Sequence, residues 1–174
     1  MKYKYLNKWL EERPLKNLRF EQKLMAIDNC SLTRRLSTIK KKVNITHINS
    51  CSKKINPELR LYFPGLCFVR SVELDSVKID GLPIKALSII SMKNLTGKER
   101  LIPHLKGRSL GTFILKRKKY KKIYTDYSVH GDLPQITRNI IYRFKKKYIF
   151  VQEWLTFPEL YNDLTLFECR RNFL

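Results

Sequence analysis

The sequence is poor in the residues and patterns that mark several common classes of protein. Its 174 residues include four cysteines and six glycines, and no two cysteines form a C-x-x-C pair. No histidine stands at metal-ligand spacing from a cysteine, so no zinc site is indicated. The glycines form no phosphate-binding loop. Free thiols in a reducing compartment are the simplest interpretation of the cysteines.

Long apolar runs are also missing. The opening segment MKYKYLNKWLEERPL holds no apolar stretch of the length found in a signal peptide. No other segment approaches the roughly 20 apolar residues that a membrane-spanning helix needs. The expected location is therefore the cytoplasm, with no membrane span.

Acidic residues are scarce: 15 aspartates and glutamates face 36 lysines and arginines, for a formal net charge of +21. Such an excess attracts anions such as nucleic acid, acidic membrane surfaces or a small anionic ligand. The chain is also rich in Lys, Ile, Asn, Tyr and Phe, which AT-rich codons encode. Surface drift in a biased genome is therefore the favoured explanation of the charge, and a dedicated polyanion site is the alternative.

The chain is predicted to form one domain. Its length suffices for a real core, 43% of its residues are hydrophobic, and no repeat or linker divides it. Apolar spacing predicts a helical segment over about 1–40, with Ser31 as an N-cap before Leu32. A β-rich segment follows over about 43–158, and 162–174 form a C-terminal extension.

The β-rich segment holds short runs that are rich in Ile, Val, Tyr and Phe, separated by short connections. These connections suit hairpins, and GKERLIPHL is predicted to be a short helix among them. The expected fold is α+β: a single antiparallel β-sheet of about six strands with helices packed on one side. The candidate strands are VNITHIN, GLCFVRSVEL, PIKALSIIS, GTFILK, KKIYTDYSV, TRNIIYRF and YIFVQEWLTF.

Three charged residues fall on apolar strand faces. Alternation puts Arg70 beside Phe68 and Val72, while Arg138 and Glu153 have similarly apolar neighbours. A charge in such surroundings is costly unless something pairs with it. One interpretation is a structural ion pair between strands, and the other is a pocket for a small anionic ligand that carries a hydroxyl group.

The order of several motifs resembles chorismate lyase. SLTRRL, VRSVEL, DGLPIKALSII, NLTG, LKGRSLGTFIL, TRNIIYRF and VQEWLTFPELY follow one another as in that family, over the chain from Ser31 to Tyr161. The resemblance implies a chorismate lyase-like fold, a monomer and the conversion of chorismate to 4-hydroxybenzoate and pyruvate without a cofactor. It also assigns ligand contacts to Leu32, Arg70, Leu110, Gly111, Arg138 and Glu153.

Within that assignment, Arg70 and Glu153 are the catalytic candidates. Arg70 is expected to hold the ring carboxylate, Glu153 to meet the ring hydroxyl, and Arg138 to approach the second carboxylate. A catalytic Glu153 is expected to be partly spared from structural ion pairing. The chain departs from the family's usual residues at Leu87, Ser91 and Ile136.

Two other functions remain open on the sequence alone. One is a ligand-sensing domain of the same fold without enzymatic activity, because fold does not fix function. The other is a basic nucleic-acid-binding protein, which the net charge and the Lys–Tyr segment KRKKYKKIYTDY favour. The chorismate lyase interpretation itself expects no specific nucleic acid partner.

Overall fold

A computed structural model describes residues 26, 32–33, 43–79, 82–116, 119–130 and 135–156. Within these ranges the chain forms six β-strands and one α-helix, and three 3-10 helices span Pro57–Leu59, Met92–Asn94 and Gly97–His104. Helix α1 covers Leu110–Lys116. The strands are β1 Ile45–Lys54, β2 Leu66–Ile79, β3 Leu82–Ser91, β4 Lys121–His130, β5 Gln135–Phe144 and β6 Lys147–Thr156.

The six strands form one sheet in the order β1-β2-β3-β6-β5-β4, and every neighbouring pair is antiparallel. Four of the five pairings join strands that follow one another in sequence. The fifth joins β3 to β6, so the two halves of the sheet meet along one pairing. The α+β class with a single antiparallel sheet of six strands is confirmed.

The prediction of a strand at GTFILK is wrong, because these residues belong to α1. Leu110 and Ile114 are one helical turn apart, and both are buried against the sheet. The side chain of Ser109 accepts a hydrogen bond from the backbone N–H of Thr112 at 3.2 Å, which is N-cap geometry. Packing and capping therefore outweigh the β propensity of Phe and Ile. The predicted helix at GKERLIPHL is present, in 3-10 form.

The two faces of the sheet carry separate apolar clusters. On one face, α1 and the Gly97–His104 helix pack against sheet residues such as Phe68 and Ile149. On the other face, Phe63 covers one end of the sheet together with Ile55. Because β side chains alternate between faces, Arg70, Arg138 and Glu153 share the face that carries α1.

Some predictions fall outside the described residues. These are most of the predicted helical segment over residues 1–40, the C-terminal extension 162–174, Cys30 and Cys169; Ala26, Leu32 and Thr33 are helical as predicted. Cys51 and Cys67 are free thiols, the first exposed and the second buried. Among the residues that the structure describes, no helix is long and apolar enough to span a membrane.

Candidate functional site

The site is built on two neighbouring rows of the sheet. Arg138 on β5 lies directly opposite Glu153 on β6, and Glu153 lies opposite Ala86 on β3. In the next row, Ser88 on β3 lies between Arg70 and Val151. Arg70 and Glu153 are thus two strands and two residues apart. From the spacings of a β-sheet, their Cα atoms lie about 12 Å from each other.

All six residues that the sequence assigns to the site line one cavity above these rows. The cavity has a volume of about 70 Å³ and lies between the sheet, Leu32 and the start of α1. This is far below the ~300–1,000 Å³ of pockets for drug-sized ligands, so the cavity has room only for a small molecule. The six residues are Leu32, Arg70, Leu110, Gly111, Arg138 and Glu153.

Arg70 is buried, with 2% of its surface exposed. Its Nη2 donates hydrogen bonds to the backbone carbonyls of Lys106 at 2.5 Å and Arg108 at 2.9 Å. Its Nε is also buried, and none of the described residues accepts a hydrogen bond from it. Among those residues no carboxylate forms a salt bridge with Arg70. Burial in this setting lowers the pKa of the guanidinium.

The loop that provides the two carbonyls is held close to strand β1. A Cβ atom at Gly107 would come within 2.8 Å of the carbonyl oxygen of Ile45, so only glycine allows this approach without a shift. Lys106 has a positive φ of 46°, and the N–H of Arg108 donates to the carbonyl of Leu105 at 2.7 Å. This compact turn directs the carbonyls of Lys106 and Arg108 toward Arg70.

Arg138 and Glu153 form a buried ion pair. Nε and Nη2 of Arg138 lie 2.8 and 2.7 Å from Oε2 of Glu153, and the two residues are 3% and 9% exposed. Nη1 of Arg138 donates to the carbonyl of Ala26 at 3.0 Å. Burial alone would lower the pKa of Arg138, but the charge and hydrogen bonds of Glu153 raise it overall. Glu153 therefore has the structural pairing that a catalytic glutamate was expected to avoid.

The helical segments form the apolar side of the cavity. Leu32 and Leu110 are both buried, and Gly111 follows Leu110 in the first turn of α1. The hydroxyl of Thr33 donates to the hydroxyl of Ser109 at 3.0 Å, which ties the residue after Leu32 to the N-cap of α1. Leu32 and Leu110, which the sequence assigned to the site, are thus neighbours of two residues that are hydrogen-bonded to each other beside the cavity.

Besides Thr33 and Ser109, sequence reasoning missed four polar residues that line the same cavity. Ser88 lies opposite Arg70, and its hydroxyl donates to the Arg70 carbonyl at 3.4 Å. Tyr142 and Lys122 lie opposite each other on β5 and β4. Burial, with the charge of Glu153, raises the pKa of Tyr142 to about 12. Strand pairing could have identified these three, whereas the fourth, Arg108, lies in a turn to which strand pairing does not apply.

The three residues at which the sequence departs from the chorismate lyase pattern make the following contacts in the fold. The hydroxyl of Ser91 donates to the carbonyl of Pro64 at 2.9 Å, which fastens the end of β3. Ile136 is fully buried and lies opposite Leu155 in the sheet. Leu87 packs as a half-buried residue against the cluster on the opposite face, although it also lines the cavity.

The fold of the chain is similar to that of a protein of known structure. No protein family matches the chain, and no curated protein matches it. A crystal structure described as a possible transcriptional regulator, YydK, from Bacillus subtilis subsp. subtilis str. 168 is similar at a TM-score of 0.45 and 12% identity. The match covers 72% of this chain and 62% of that structure.

Proposed function

We propose that the cavity binds a small ring carboxylate and that the protein converts chorismate to 4-hydroxybenzoate and pyruvate. Two observations support this. The order of motifs in the sequence resembles chorismate lyase from Ser31 to Tyr161. The residues which that resemblance assigns to the ligand lie around a single cavity in the folded chain.

Arg70 is the observation that carries the proposal. A buried charge costs several kcal/mol unless it is paired and hydrogen-bonded. Arg70 has two carbonyl partners, a buried Nε without an acceptor, and no salt bridge to a described carboxylate. A ligand carboxylate in the cavity would supply the missing acceptor for Nε and a counter-charge for the guanidinium. The carboxylate of a ring acid fits this requirement.

The reaction needs orientation and modest acid–base help. In chorismate, the proton on the hydroxyl-bearing ring carbon leaves, and its electron pair forms the new ring double bond. The ether bond on the neighbouring ring carbon breaks, and the released enolpyruvate gains a proton at carbon to become pyruvate. Aromatisation drives the step, so positioning by the Arg70 end of the cavity contributes most. Glu153 at the other end would polarise the ring hydroxyl.

The contacts of Glu153 favour a second candidate function. Its Oε2 takes both short contacts from Arg138, so the carboxylate is tied to a structural role. A site that holds a ring acid at Arg70 but lacks an unoccupied acid–base group would bind its ligand without converting it. This describes a ligand-sensing domain, and it predicts affinity for 4-hydroxybenzoate without turnover of chorismate.

Incubation of the purified protein with chorismate separates these functions. A lyase releases 4-hydroxybenzoate and pyruvate in equal amounts, which chromatography and a coupled pyruvate assay measure separately. Arg70→Ala is expected to abolish release, while Arg143→Ala is the matched control because Arg143 is exposed and lies on the opposite face of the sheet. Binding of 4-hydroxybenzoate without release supports the sensor. If the protein neither binds 4-hydroxybenzoate nor releases it from chorismate, both functions are rejected.

A further inference from the structure

Charge is distributed unevenly along the strands of the sheet. Strand pairing aligns six segments into one half, called here the basic half: 51–54, 66–69, 89–91, 121–124, 141–144 and 147–150. These segments carry six basic side chains and no acidic one: Lys53, Lys54, Lys121, Lys122, Arg143 and Lys147. The other half, called here the neutral half, consists of 45–50, 70–74, 84–88, 125–130, 135–140 and 151–156. There, three acidic residues balance three basic ones.

Exposed lysines continue past the strand ends of the basic half. Lys145 and Lys146 form the turn between β5 and β6, and Lys93 follows β3. Lys54 ends β1 and Lys121 begins β4, and all five side chains are exposed. We call these five lysines the basic rim. Because six strands lie side by side at about 4.8 Å spacing, the basic rim spreads its charge over a width of about 24 Å.

Surface drift does not account for this distribution. Drift adds lysine wherever a position tolerates it, and the neutral half also has exposed strand positions, such as Thr46 and Asn49. In the helix that follows β3, the acidic residue Glu99 is buried and already paired with Lys147 at 2.5 Å. None of the described acidic residues forms a salt bridge with a lysine of the basic rim. The rim therefore presents its charge to solvent.

Apolar side chains are exposed beside the basic rim. Leu66 begins β2 and Met92 follows β3, and they are 47% and 41% exposed. Cys67 pairs with Ser91, so Leu66 and Met92 leave the sheet side by side. Leu61, in the segment that joins β1 to β2 at this end, is also exposed. A single exposed leucine is ordinary, but neighbouring apolar side chains bordered by lysines indicate an interaction surface.

We propose that the basic rim, together with Leu66 and Met92, binds the surface of an anionic lipid bilayer. The lysines are attracted to the anionic headgroups, and the two apolar side chains enter the boundary between headgroups and acyl chains. A nucleic acid would also attract the lysines through its phosphates, but it would offer the apolar side chains no matching environment. The inference is independent of the proposed reaction, because none of these residues lines the cavity.

Co-sedimentation with lipid vesicles measures this binding. One set of vesicles is phosphatidylcholine alone, and the other contains an equal amount of phosphatidylglycerol. The protein is expected to bind the anionic vesicles at least tenfold more tightly, and added salt should weaken this binding because it screens the lysines. Lys146→Gln should weaken binding to the anionic vesicles about fivefold, the effect of one lysine near a membrane surface. Lys85→Gln is the matched control, because Lys85 is exposed in the neutral half and should leave binding unchanged.

Leu66→Thr separates a membrane from a nucleic acid as the partner. It should weaken binding to anionic vesicles at least twofold, because it removes apolar surface, and leave the affinity for a single-stranded oligonucleotide unchanged. Ile48→Thr is its control, since Ile48 is 50% exposed but lies in the neutral half. Equal affinity for both sets of vesicles, or no binding to either, would overturn the inference. Tighter binding to the oligonucleotide than to anionic vesicles, with no effect of Leu66→Thr on the vesicles, would overturn it in favour of a nucleic acid.

Discussion

The buried ion pair between Arg138 and Glu153 predicts the effect of removing the charge at position 153. Glu153→Gln keeps the shape of the side chain but leaves the buried guanidinium of Arg138 without its counter-charge. Loss of one partner from a buried pair costs about 3–5 kcal/mol of unfolding free energy. Both contacts of Arg138 end on Oε2, which a glutamine carbonyl can replace, and the Ala26 carbonyl still accepts from Nη1. The expected cost is therefore about 3 kcal/mol, at the lower end.

Urea unfolding followed by tryptophan fluorescence measures this cost, and thermal unfolding gives a second estimate. For a chain of this length a loss of 1 kcal/mol lowers the melting temperature by ~2–4 °C, so a fall of roughly 6–12 °C is expected. The double variant Arg138→Met with Glu153→Leu should recover most of the loss, because an apolar pair of similar size needs no counter-charge. An unchanged unfolding midpoint in Glu153→Gln would refute the reasoning.

The same variant has a second readout in the proposed reaction. If Glu153 polarises the ring hydroxyl, turnover of chorismate should fall by roughly a hundredfold or more, the range for loss of one acid–base group. The assay is made well below the melting temperature of the variant, so that the folded fraction stays near one. Turnover at the parent rate would show that Glu153 is a structural partner of Arg138 and that orientation alone supports the reaction.

Two further predictions concern residues around the site. Burial alone would raise the pKa of Glu99, but hydrogen bonds from Lys147 and Tyr120 lower it below its ordinary value of 4.5. Glu99→Gln should therefore lower the free energy of unfolding by about 2 kcal/mol at neutral pH. The difference in unfolding free energy between variant and parent should shrink as the pH falls below 4.5. A difference that does not change with pH would contradict this. Gly107→Ala should force the turn away from the Ile45 carbonyl and so displace the carbonyls that hold Arg70. Titration with 4-hydroxybenzoate should show binding weakened at least tenfold. Unchanged affinity would show that the turn does not position Arg70.

The pairing of Arg138 with Glu153 could have been deduced from the sequence. The strands β5 and β6 are joined by the two residues Lys145 and Lys146, which is the length of a tight hairpin turn. Such a turn puts Phe144 opposite Lys147 and fixes every later pair, including Arg138 with Glu153. Strand alternation predicts the face of each charged residue, and the length of the turn determines the register between β5 and β6.

Other features depended on contacts that local patterns do not encode. The residues of α1 have β-like composition, and they form a helix because Ser109 caps it and Leu110 and Ile114 pack against the sheet. The pairing of β3 with β6 joins strands that are far apart in sequence. No hairpin connects them, so this pairing could not be predicted from turn positions. The carbonyls that bind Arg70 come from a turn after a 3-10 helix, where backbone geometry rather than residue type creates the partner.

The most direct test of the central claim is the affinity of 4-hydroxybenzoate for the parent protein, Arg70→Ala and Arg143→Ala, measured by calorimetry at constant salt. The account predicts that Arg70→Ala weakens binding by about 2–5 kcal/mol, the range for removing one partner of a buried charged pair. Arg143→Ala should match the parent, because its side chain is exposed on the other face. Near-ultraviolet circular dichroism confirms that each variant is folded. Parent-like affinity in a folded Arg70→Ala protein would contradict the claim that this guanidinium holds the ligand carboxylate.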